Sequence, residues 1–137
     1  MIKLCLPTLP SIVLLKIVAY DDRPEVRSKD AGDIADIIHH FFDLQPNLIY
    51  SEEHLDLFSD DGEDKPLQEI SAVVIGREIK KIVSSNVGLA KRIQLILQTH
   101  IDKKEESQFV KNMVAQSGSN VEKTVEQLKN ILQALTD

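Results

Sequence analysis

Apolar residues recur at helical spacing in five stretches of this chain and crowd almost without a break in a sixth. The crowded stretch comes first. Ile12, Val13, Leu14, Leu15, Ile17 and Val18 leave one charged position, Lys16, in a segment that reads as a helix to about Tyr20. A helix that is apolar all round is normally buried on most sides. Ser11 is placed to cap its start and Pro24 to stop it. Asp30 is read as opening a second helix to about Phe42, with Asp33 three residues on as a short-armed capping box. Ile34, Ile37, Ile38 and Phe41 form its inner face, and Asp36, His39 and His40 lie outside. On a helical wheel Asp30 projects between Ile37 and Phe41, into the apolar face.

Residues 43 to 66 read as loop, with an acidic turn SDDGEDK at Ser59–Lys65. Taking Gly62 as the glycine of a calcium loop puts Leu57 first and Gln68 last, which are not ligands. Pro66 suits the first turn of a third helix running to about Val83. Leu67, Ile70, Val74, Ile75, Ile79, Ile82 and Val83 fill its apolar side. Gly76 in its middle costs about 1 kcal/mol against Ala, and so marks a close contact with another helix.

Leu89, Ile93, Ile96, Leu97 and Ile101 mark a fourth helix, and Lys103–Glu106 is a charged connector. Phe109, Val110, Met113 and Val114 mark a fifth. After the turn Ser117-Gly118-Ser119, the residues Val121, Val125, Leu128, Leu132 and Leu135 repeat at 4-3-4-3 spacing. That is a narrow seam suited to a helix pair, but too short for a free coiled coil. Ile2 to Leu6 alternates weakly and predicts a short strand, for which no partner strand follows. The expected fold is mainly α: about six helices in a bundle with one short N-terminal β-strand. A helical region 1–102 precedes a C-terminal helical hairpin, 103–137.

Composition narrows the function. A chain of 137 residues with 42% apolar residues can bury one real core, and with 4% aromatics that core is aliphatic. The net charge of -6 argues against wrapping nucleic acid by bulk charge. The single cysteine, Cys5, excludes an internal disulfide. Pro7 and Pro10 break the N-terminal apolar run, and no small-residue cleavage site follows it. No stretch reaches the roughly 20 apolar residues of a membrane span. A cytoplasmic protein with no membrane attachment is expected.

The residues that carry chemistry gather between Lys16 and Asp33. A charge within an apolar helix costs several kcal/mol unless it is paired or reaches water. Lys16 therefore either snorkels to solvent or meets acids brought near by the following bend. The first-turn acids Asp30 and Asp33 are explained by capping and the helix dipole, yet paired acids also bind Mg²⁺ or act as a general base. Arg23, Arg27 and Lys29 either pair weakly with Asp21, Asp22 and Glu25 or contact phosphates. His39 and His40 are neighbours on a helix and point about 100° apart, so they do not chelate together. No zinc spacing, P-loop or GxGxxG is present, and no resident metal is expected.

The run LPTLPSIVLLKIVAYDDRPEVRSKDAGDI resembles a segment of the AbiEii-type nucleotidyltransferase-like proteins. These are bacterial members of the polymerase-beta-like superfamily, some of which are toxins of toxin–antitoxin systems. The resemblance places Lys16, Ala19, Arg23, Lys29, Asp30 and Asp33 at motif positions. Ile75–Ile82 (IGREIKKI) resembles the helical continuation of one branch. It spans about residues 4 to 100 and is most specific between Leu6 and Ile34.

The family's Gly-Ser turn and Asp-x-Asp strand, which hold Mg²⁺ and a nucleoside triphosphate, have no counterpart. Gly118-Ser119 runs into Asn120, Val121 and Glu122 in a helical pattern. The resemblance thus implies a C-terminal part without the metal-binding half, and no phosphoryl transfer by this chain alone. It implies Lys16, Asp30 and Asp33 as half of a catalytic site and Arg23, Arg27 and Lys29 as nucleotide-phosphate contacts. Mg²⁺ and a nucleoside triphosphate would join only with the missing half as partner. The alternative is a non-enzymatic helical module for protein–protein contact or homo-oligomerisation. Direct RNA binding through Arg23, Arg27 and Lys29 is set against the acidity of the rest and the lack of accompanying aromatics other than Tyr20.

Overall fold

The computed structural model describes residues 8–44 and 67–136, and these are almost wholly helical. The helices are α1 (Leu9–Asp22), α2 (Ser28–Leu44), α3 (Leu67–Val83), α4 (Val87–Lys103), α5 (Gln108–Ser117) and α6 (Val121–Thr136). A 3-10 turn, Lys104–Glu106, joins α4 to α5. The mainly helical bundle read from the sequence is present. The strand expected at Ile2–Leu6 and the acidic turn at Ser59–Lys65 lie outside the described residues.

Local chemistry sets the helix ends. α1 starts three residues earlier than the apolar pattern suggested. Thr8, not Ser11, is its N-cap, with its hydroxyl oxygen accepting from the Ser11 N–H at 3.3 Å. Pro10 does not break the helix because it stands in the first turn, where no intrahelical donor is needed. α2 begins at Ser28, so Asp30 lies within its first turn rather than at its start. The Asp30 side chain makes no capping-box bond with Asp33; it is buried against α1. The connector read at Lys103–Glu106 is the last residue of α4 plus the 3-10 turn. Gly118 closes α5 with φ +70, the left-handed value that glycine adopts without strain.

Among the described residues the core is one largely aliphatic cluster. Ala31, Ile34, Ala35, Ile38 and Phe41 bury one face of α2, and Ile70, Val74, Ile75, Ile79 and Val83 one face of α3. α3 lies longest against α6, α2 against α5, and α1 against both α2 and α3. The stretch after residue 103, read as a hairpin, contributes Phe109, Val110, Met113, Val125, Leu128 and Ile131 to the same cluster as the earlier helices. α6 turns Ile131 fully inward and leaves Leu132 only partly buried. The seam residues Val125, Leu128 and Leu135 are buried, and Ile131, outside the 4-3-4-3 pattern, joins them.

Gly76 stands where α3 crosses α6. A Cβ there would meet the Ile131 carbonyl oxygen at 2.5 Å and Ala134 Cβ at 2.8 Å. The glycine suspected of marking a close helix contact does so, and its lost helix propensity allows two backbones to touch.

Candidate functional site: an ion cluster between the first two helices

α1 presents Val13, Leu14, Ile17 and Tyr20 to the core. Lys16, one residue before Ile17, comes out on the flank facing α2. Its Nζ donates to Asp33 Oδ2 at 2.9 Å and to Asp30 Oδ1 at 3.4 Å. Arg27 closes the far side, with Nε 3.7 Å from Asp30 Oδ2. The cluster is graded in burial. The Asp30 side chain is 8% exposed, and those of Lys16 and Asp33 are 26% and 30% exposed. The hydrogen bond to Asp33 does most to raise the Lys16 pKa above its ordinary 10.5, with Asp30 adding to it and burial opposing. The amine is therefore a fixed positive charge at neutral pH, unable to serve as a base.

Asp30 Oδ2 is buried and accepts no hydrogen bond. The Arg27 guanidinium is its nearest cation, too long at 3.7 Å for a hydrogen bond but close enough to attract. Lys16 and Arg27 against Asp30 and Asp33 make a neutral foursome. Arg23 and Lys29 stand apart from it, exposed and without an ion pair among the described residues. Asp21 and Asp22 are engaged elsewhere, by Arg92 of α4 at 3.3 and 2.6 Å, an exposed clamp on the end of α1. The structure thus joins Lys16, Asp30, Asp33 and Arg27, and leaves Arg23 and Lys29 outside.

Sequence reasoning passed over two features. One is Arg92, whose partners lie 70 and 71 residues away. The other is the contact of His100 with Ser107 where α4 meets α5, Nδ1 to Oγ at 2.8 Å. A cavity of about 260 Å³ beside the α5–α6 turn is lined by His39, Ser119 and Lys123 among others. Among the described residues no group of three or more His, Cys, Asp or Glu side chains is placed to hold a metal ion. No helix among them is long and apolar enough to cross a membrane.

The arrangement defines a helical bundle with a charge-neutral clamp between its first two helices. No protein-family model, curated protein or solved structure matches the chain.

Proposed function

We propose that the protein is a non-enzymatic helical module that pairs with a second copy of itself through the outer face of α1. The observation that carries this reading is Leu15, 63% exposed in the middle of a helix rich in large aliphatic residues. Ile12 and Ala19, half-buried and outside the core cluster, flank it three and four residues away. Together they form a stripe at helical spacing.

Two copies of this stripe fit each other about a two-fold axis, the commonest symmetry of soluble oligomers. In an antiparallel pair, Ile12 of each copy faces Ala19 of the other, large against small. Leu15 then lies along the Lys16 stem. The ion cluster suits that contact, because Asp30 and Asp33 already neutralise the ammonium and leave its methylenes as apolar surface. Each copy carries a net charge of -6, so association strengthens as salt screens their repulsion.

Sedimentation velocity over a concentration series tests the reading. A dimer is expected, tighter in higher salt and abolished by Leu15→Lys with the helical circular dichroism unchanged. A monomer up to about 100 μM, a concentration at which micromolar pairs are largely associated, removes the proposal; so does a dimer indifferent to Leu15→Lys.

A second reading follows the resemblance to nucleotidyltransferase-like proteins, with Lys16 and Arg27 meeting a nucleotide phosphate and Asp30 and Asp33 positioning them. The convergence of these four side chains supports it. It requires an incoming phosphate to displace carboxylates that already satisfy the ammonium. A thermal upshift with Mg²⁺ and a nucleoside triphosphate at millimolar concentration, lost in Lys16→Ala, favours it; no upshift, or one kept in that variant, discards it.

A further inference from the structure

His100 lies at the end of α4, half-buried in an aromatic corner. Its ring stacks on Phe109 of α5 at 4.7 Å and 19°. Tyr20, from the end of α1, meets Phe109 edge-on at 4.9 Å and His100 at 5.9 Å. His100 Nδ1 is 2.8 Å from Ser107 Oγ. Ser107 is 1% exposed and is the N-cap of α5, its oxygen accepting from the Val110 N–H at 3.1 Å. One hydroxyl thus serves both the preceding helix and the next.

The proton count at that hydroxyl depends on whether Nδ1 carries a proton, and so on the tautomer of the imidazole as well as its charge. A serine hydroxyl has one hydrogen to give and two lone pairs to receive with. When Nδ1 is bare, the Ser107 O–H donates to it and the oxygen receives from Val110, so every group is used. When the ring takes a proton at Nδ1, that nitrogen becomes a donor. The Ser107 hydrogen then loses that acceptor on a residue 1% exposed, and its oxygen must receive two donors.

We propose that this corner is a proton-operated latch: neutral His100, with its proton on Nε2, locks the first turn of α5 through Ser107, and protonation of Nδ1 releases it. The charges that act on the ring are Lys103, along its own helix, and Asp21, from the end of α1. Asp21 is partly occupied by Arg92 at 3.3 Å. Tyr20 presents a phenol whose pKa burial raises, so it stays neutral. Lys104, Glu105 and Glu106 of the 3-10 turn are exposed, and Phe109 and Val110 of α5 carry no charge.

Burial is the main cause lowering the His100 pKa below its ordinary 6.5, with Lys103 adding to it and Asp21 opposing. The released state therefore binds the proton more readily than the latched one. The latch holds above the ordinary imidazole value and weakens as pH falls through it. Release uncovers Phe109 and the inner side of Tyr20, both otherwise sealed in the core.

Two measurements on the full chain decide the matter. The first is an NMR titration of the imidazole resonances. His100 is expected to titrate below the ordinary imidazole value of 6.5; titration at or above that value overturns the latch. The second is amide hydrogen exchange at Val110, corrected for the intrinsic pH dependence, from about pH 8 to about pH 5, the range in which imidazole changes charge. Protection is expected to fall severalfold in the wild type and to stay level in His100→Phe, which keeps the stack on Phe109 and cannot titrate. Equal loss in both proteins, or no loss in the wild type, refutes the proposal. Should His100→Phe not fold, the wild-type titration still decides.

Discussion

Lys16→Met keeps an unbranched apolar stem of similar reach and removes the ammonium. Two carboxylates are then left facing α1. Asp33 is 30% exposed and regains water at little cost. Asp30 does not: its side chain is 8% exposed, and its remaining cation is Arg27 at 3.7 Å. Removing one partner of a fully buried pair costs about 3–5 kcal/mol. Lys16 is 26% exposed and Arg27 more so, which brings the expected loss to about 2 kcal/mol. In a domain of this size that is a fall in Tm of roughly 6–10 °C.

The assay is urea unfolding read as a lower midpoint at unchanged slope. Its pH dependence is the stricter test. The deficit of Lys16→Met is whole at neutral pH and disappears at the alkaline end. Lys16 has a raised pKa in the folded chain, so its contribution is whole below 10.5 and is lost as pH climbs through the folded value. The wild type therefore converges on the variant in strong alkali. A deficit below about 0.5 kcal/mol at pH 7, the scatter of neutral surface changes, or one independent of pH, means that the amine does not hold α2 and the reasoning fails.

Other substitutions probe the rest of the frame. Gly76→Ala gains about 1 kcal/mol of helix propensity but drives a methyl into the Ile131 carbonyl, a backbone atom that yields poorly. A net loss of about 1–2 kcal/mol in the same unfolding assay is expected, and a gain in stability would contradict the close crossing of α3 on α6. Gly118→Ala meets no neighbour within 4 Å, yet its φ of +70 makes it cost about 1 kcal/mol, measurable as a lower Tm. Arg92→Ala removes an exposed clamp on Asp21 and Asp22, so its small effect should disappear in about 0.5 M salt, where the Debye length is only a few ångströms. An effect that survives high salt would point to lost contact of the arginine stem instead.

How much of this was readable from the sequence differs from residue to residue. α2 and α3 were legible because Ile34, Ile38 and Phe41, or Ile70, Val74 and Ile75, keep the 3.6-residue period that burial demands. The start of α1 was not, because Pro10 reads as a breaker until the turn it occupies is known. A buried partner for Lys16 followed from the cost of an unpaired charge. The choice of Asp33 at 2.9 Å over Asp30 at 3.4 Å depends on how the two helices cross, which spacing does not encode. His100 and Ser107 were missed because a lone histidine carries no pattern. The available signal was a serine just before Phe109-Val110, the cap of a helix whose predecessor carries that histidine in its last turn.

The cluster has a further role, which arises from what α1 lacks. Its apolar residues surround the helix, so burial alone does not choose which side faces the core: Ile12, Leu15 and Val18 would fill space nearly as well as Val13, Leu14 and Ile17. An amphipathic helix has one inward face, whereas this one has several of similar worth. Lys16 breaks the tie, since only one rotation sets its amine between Asp30 and Asp33 while Tyr20 reaches Phe109. Ion pairs of this kind are often replaceable by apolar groups without loss of stability, and in some proteins they are kept for the uniqueness they impose. The expected outcome of Lys16→Met combined with Asp30→Leu and Asp33→Leu follows. Unfolding free energy stays within about 1–2 kcal/mol of the wild type, as for volume-conserving swaps, but α1 samples more than one rotation. Its amide resonances broaden or double while those of α3 and α6 stay sharp. If the triple variant instead gives one sharp set throughout, the rotation of α1 is fixed by shape alone, and the charges serve only to neutralise one another.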